Sequence, residues 1–141
     1  MNRREAILLL AALIAPKSAW AHSFKLGPIL IGHAWALASD GPEAKVCFPL
    51  SNTGTAPDEL VEAATPIAAK IEFRANSDYS KQPLSSIIIE AGKPVPMRLK
   101  ALHLRLLGLK KPIVEYETFP LTLTFKNAGK IDIEIEVEAP Q

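Results

Sequence analysis

The sequence predicts an all-β protein, an antiparallel sandwich or barrel, and three observations predict it. The stretch Ile131-Asp132-Ile133-Glu134-Ile135-Glu136-Val137-Glu138 alternates strictly, with three Ile and one Val on one face and four acids on the other. Apolar and β-branched runs recur at short intervals, separated by clusters of Gly, Pro, Asn, Asp and Ser. No segment carries a convincing helical period.

The elements follow in order. Residues 22–27 form a mixed lead-in, and 28–37 an apolar run broken at Gly32 and His33. Ser39-Asp40-Gly41-Pro42 has turn composition. Residues 45–50 read as one strand and 51–58 as the loop after it. Strands at 59–64 and 68–73 flank Thr65-Pro66, and in the second Ile71 and Phe73 face inward. A strand at 86–90 is followed by the turn Ala91-Gly92-Lys93-Pro94. Residues 95–100 read as an edge strand, because Pro96 cannot donate to a ladder. Met97 alternates with Val95 and Leu99 and is read as core filler. The leucine-rich strand at 102–109 places His103 and Arg105 on one face and Leu102, Leu104 and Leu106 on the other. Residues 121–126, the turn Asn127-Ala128-Gly129 and residues 130–138 close the chain as a hairpin, whose acidic row is a solvated face that guards against edge pairing.

Residues 1–21 read as an export signal. Arg3-Arg4 supply the positive start, residues 6–15 the apolar core and Ala19-Trp20-Ala21 a small-x-small cleavage site. The apolar run is too short to span a bilayer, which needs about 20 residues. Asn2-Arg3-Arg4-Glu5-Ala6-Ile7 suits either the general or the twin-arginine route. A single mature domain, residues 22–141, begins at His22 in the periplasm. A net charge of +1 argues against a partner held by phosphate neutralisation, so no nucleic acid is expected. Cys47 is the only cysteine, in an apolar run, and reads as a buried inert thiol. No nucleophile with a partnering base, paired carboxylates or phosphate-cradling glycine loop is visible, so no enzyme is predicted.

His103 in the middle of a leucine-rich strand is either a satisfied imidazole or a metal ligand. Leu102-His103-Leu104, Leu107-Gly108-Leu109-Lys110-Lys111-Pro112, Phe119-Pro120-Leu121-Thr122-Leu123-Thr124-Phe125 and Ala128-Gly129 together resemble the periplasmic copper chaperones called PCu(A)C. The resemblance implies a cupredoxin-like antiparallel β-sandwich of Greek-key type over about residues 28–138. It also implies copper(I) held by two His and two Met, a soft ion on soft ligands. The family carries His-x-Met on this strand, followed by Met-Gly-Leu, and here the Met positions read Arg105 and Leu107. The family's first copper-binding His falls at Arg74, and 75–86 contains neither Met nor His. The family's His-Pro-Trp-Ala-Arg appears as His33-Ala34-Trp35-Ala36-Leu37. The partner so implied is a copper-accepting or copper-donating protein, periplasmic or membrane-bound.

Three histidines remain as metal candidates: His103, His22 and His33. Arg105 beside His103 opposes a cation, since unit charges about 6–7 Å apart at an effective dielectric near 20 repel by roughly 2.5 kcal/mol. A processed terminus at His22 would chelate through its amine and imidazole. With His33 or His103 added, that nitrogen set suits copper(II) better than copper(I). The competing reading is a metal-free binding or assembly module, with Arg74 and Arg105 presenting positive charge to an acidic partner or anion.

Overall fold

The computed structural model describes residues 23–140 and contains strands without a helix. A three-stranded sheet has the order β1-β2-β5, built from β1 (Phe24–Leu26), β2 (Ile29–Ile31) and β5 (Leu50–Asn52). The other eight strands are β3 (Trp35–Leu37), β4 (Glu43–Cys47), β6 (Asp58–Ala64), β7 (Ala68–Arg74), β8 (Ile87–Ile89), β9 (His103–Leu109), β10 (Thr118–Phe125) and β11 (Gly129–Glu138). They form one sheet in the order β7-β9-β4-β3-β11-β10-β6-β8. Its curved inner face meets the small sheet over a core that includes Ile29, Ile31, Phe48, Leu50, Leu60, Leu104, Leu121 and Ile135. This is the all-β sandwich the alternation predicts.

Most predicted strands appear within a residue or three of their expected bounds. The interruption at Gly32 and His33 separates β2 from β3, and with it the two sheets. Gly32 is required there because its N–H donates to the Pro49 carbonyl at 2.9 Å, and a Cβ would meet Pro49 Cγ at 2.4 Å.

Three expectations are corrected. Residues 45–50 are not one strand: Phe48-Pro49 breaks the run, so β4 lies in the large sheet and β5 in the small one. Residues 95–100 form no strand. Val95 makes an isolated bridge to Leu50, and Pro94 and Pro96 on either side lack the N–H groups needed to extend it. Met97 in this segment is nonetheless buried core.

The third correction concerns β11. Its acidic row does not guard an edge, because β11 lies inside the sheet, antiparallel to β10 and parallel to β3. The parallel pair matches Glu136 with Trp35 and Glu138 with Leu37. Asp132 accepts a hydrogen bond from Thr122, while Glu136 and Glu138 face His33.

Candidate functional site

The ladders of β7, β9 and β4 bring the positions singled out in the sequence side by side. Arg74 pairs with His103, and Glu72 with Arg105, across β7 and β9. Lys45 on β4 pairs with Arg105 from the other side. Directly opposed residues share a face, so Glu72, Arg105 and Lys45 make one row and Arg74 and His103 the next. This face is covered: Arg74 is 5% exposed and His103 0%.

Both imidazole nitrogens of His103 are engaged. Nδ1 lies 2.7 Å from the Ala101 carbonyl oxygen, and Nε2 lies 2.7 Å from the Tyr79 hydroxyl. A carbonyl can only accept, so Nδ1 carries the proton, and in the neutral ring Nε2 accepts from Tyr79. Burial holds the His103 pKa below its ordinary value; Lys45, Arg74 and Arg105 push it the same way, and the Ala101 hydrogen bond opposes them. Burial also raises the Tyr79 pKa, which keeps the phenol protonated and able to donate.

Around the pair, charges are matched. Arg74 Nε and Nη2 donate to Glu72 Oε1 at 3.1 and 2.7 Å, and Arg105 Nη1 donates to the same oxygen at 3.2 Å. Arg105 also forms an ion pair with Glu43. The hydrogen bond from Arg74 is the main reason that the Glu72 pKa is lowered. The Tyr79 ring lies 3.9 Å from the Arg105 guanidinium, 5.1 Å from that of Arg74 and 5.8 Å from Lys45 Nζ. The repulsion expected of Arg105 is thus offset by two carboxylates. What stands in the way of an ion is Tyr79 at Nε2.

Sequence reasoning missed Tyr79, Glu72 and Glu43. Tyr79 lies in the polar stretch Asn76-Ser77-Asp78-Tyr79-Ser80-Lys81, where a lone aromatic was the available signal. Glu72 was visible as the outward residue between Lys70 and Arg74, but its contact with Arg105 depends on strand pairing.

The other candidates lie elsewhere. His33 Nε2 is 3.0 Å from Glu138 Oε1, and Nδ1 is 3.7 Å from Glu136 Oε2. It precedes β3 and faces β11, and β4 lies between β3 and β9 in the sheet. His22 lies outside the described residues, as does the whole predicted signal. Phe24, two residues after His22 in the chain, pairs with Ile31, two residues before His33. Cys47 is fully buried, and burial raises its pKa to about 11, against a smaller lowering by Lys45. Among the described residues, no group of three or more His, Cys, Asp or Glu is placed to hold a metal ion. None of their elements is a helix long and apolar enough to cross a membrane.

A family model described as LpqE-like, for a lipoprotein, matches residues 29–137. No curated protein matches the sequence. Among solved structures, the copper-bound PCuAC domain from PmoF2 superposes with a TM-score of 0.77 at 24% identity, over 84% of this chain and 99% of that one. The apo PCuAC domain from PmoF1 gives 0.77 at 21% identity, over 84% and 100%. The solution structure of copper(I)-bound DR1885 from Deinococcus radiodurans gives 0.61 at 21% identity, over 88% and 85%.

Proposed function

The chain belongs to the LpqE-like family, and on that premise we propose that it is a copper-chaperone-like protein, not an enzyme, that works in the periplasm after removal of residues 1–21. Its fold, shared with PCuAC domains, supports this reading. Its partner is a protein that donates copper to it or accepts copper from it.

Copper is the cargo, and the residues at the β7–β9 position do not fit copper(I). That soft ion wants thioether and imidazole donors together. Here a single imidazole has both nitrogens engaged and two guanidinium groups beside it. The reading therefore places copper at the processed terminus, as copper(II). The observation that carries it is the β1–β2 register, which ends with Phe24 opposite Ile31. His22 stands two residues before Phe24 in the chain, Ile31 stands two residues before His33, and His33 faces Glu136 and Glu138. Amine, imidazole and carboxylate donors suit copper(II) in a tetragonal set. Nδ1 and Nε2 of His33 both face carboxylates, so copper(II) must displace Glu136 or Glu138 from one ring nitrogen.

Titration of the mature protein tests the proposal. Copper(II) binding should require the native His22 terminus and weaken at least about tenfold when one residue precedes it, since a peptide bond removes the amine ligand. His33→Ala should weaken it as well, while His103→Ala should not. Competition against a copper(I) chelator should show no tight copper(I) site. Tight copper(I) binding lost in His103→Ala would overturn the assignment. Failure to bind either ion would favour the second reading, a metal-free binding or assembly module, which draws support from the filled imidazole of His103.

A further inference from the structure

The position on β9 where the resemblance expects a metal ligand is closed by a side chain of the protein itself. Tyr79 reaches it from the segment between β7 and β8, 24 residues before His103 in the chain. Two ties of different physical kind hold it. The phenol donates to His103 Nε2 at 2.7 Å, and the ring stacks on the Arg105 guanidinium at 3.9 Å, with Arg74 at 5.1 Å. The same segment is fastened again by Arg74 Nη1, which donates to the Lys81 carbonyl at 2.6 Å. Arg74 and Arg105 are themselves held by the one carboxylate oxygen of Glu72. The backbone carbonyl of Phe73 adds a further tie, accepting from Leu84 N–H at 2.9 Å.

We propose that Tyr79 is a built-in latch, which occupies the one nitrogen of His103 able to accept and clamps residues 75–83 onto the sheet without any metal. A loop can be tied to a β-sheet by an ion that both ligate, or by a hydrogen bond and cation–π contacts between their side chains. Here the second set is complete, and each of its members depends on the others. Glu72 keeps the two guanidinium groups under the ring, the ring places the hydroxyl, and the Ala101 carbonyl holds the proton on Nδ1 so that Nε2 accepts. The latch does not depend on whether the terminus carries copper.

Two measurements on the wild-type mature protein need no variant. Imidazole nitrogen chemical shifts should show His103 as a single neutral tautomer protonated at Nδ1, unchanged by added copper(I). Diethyl pyrocarbonate should modify His103 at least about tenfold more slowly than the half-exposed His33, because attack requires the segment to open. Tyr79→Phe keeps the ring and removes the hydroxyl, and should shift the His103 Nε2 resonance and speed its modification. Tyr79→Ala removes both ties, and should in addition increase tryptic cleavage at Lys81 by about tenfold or more. The latch is refuted if wild-type His103 reacts as fast as His33, or if copper(I) shifts its resonances. An unchanged His103 in a folded Tyr79→Phe protein would refute it equally.

Discussion

Asp58 shows how one side chain joins distant segments. It is 5% exposed, and its carboxylate accepts from three backbone N–H groups: Glu59 at 2.7 Å, Asn127 at 2.9 Å and Ala128 at 2.9 Å. The last two belong to the turn between β10 and β11, 69 and 70 residues away. The sequence places Asp58 at the end of a turn-rich loop and also shows the turn at Asn127-Ala128-Gly129, but holds no sign that the two meet. Asp58→Ala leaves these donors without their acceptor, and should lower the unfolding free energy by about 1–3 kcal/mol in a denaturant titration. Asp58→Asn keeps one oxygen acceptor and should cost less. Equal stabilities for Asp58→Ala and wild type would show that water replaces the carboxylate fully.

At the scale of an element, β9 carries both the candidate site and a point of backbone constraint. Its first half pairs with β7 and β4 through Leu104 and Leu106, which are fully buried and fix the strand's inner face. That register in turn sets His103 opposite Arg74 and Arg105 opposite Glu72. Near its end, Gly108 has φ +66, and a Cβ there would lie 2.9 Å from Ala69 Cβ on β7. An L-residue pays roughly 1–2 kcal/mol in this conformation. Gly108→Ala should therefore destabilise by at least about that amount, with the contact to Ala69 adding to it. Adding Ala69→Gly should relieve the contact and leave the backbone cost. Full recovery in the double variant, measured by denaturant unfolding, would mean that φ carries no penalty here.

For the whole molecule, three perturbed groups shape the pH range of stability, with Tyr79 adding to the alkaline side above its ordinary 10.0. The His103 pKa is lowered below its ordinary 6.5 and that of Glu72 below its ordinary 4.5, while that of Cys47 is raised from 9.0 to about 11. Below 6.5 the unfolded chain protonates its histidine before the folded one does, so stability falls as pH falls toward the folded-state value. Below 4.5 the same sign applies to Glu72. Above 9.0 the unfolded chain loses the thiol proton first, so stability falls as pH rises toward about 11. Denaturant unfolding across pH should give a plateau between about pH 7 and 9. The alkaline fall should flatten in Cys47→Ala and the deepest acid fall in Glu72→Gln. An alkaline fall of the same slope in Cys47→Ala would assign it to other groups.

By itself the sequence determined where most strands lie. Alternation along residues 131–138 and turn residues such as Gly129 are local, period-two information, and they survive folding because each pleat needs an inner and an outer side. The same local reading set Ile71 and Phe73 inward, buried Cys47 and placed His103 on a leucine-rich strand. Only the tertiary structure decided that residues 45–50 divide between two sheets, that β11 lies inside one of them, and that Val95 sits between two prolines as a single bridge. It also decided the state of His103. A strand pattern says which way an imidazole points, whereas the hydroxyl that binds it comes from a loop whose position depends on Arg74, Arg105 and Glu72 meeting across β7 and β9. Contacts between residues far apart in the chain have no period to read, so the partner of a buried polar group emerges only when the strands are in register.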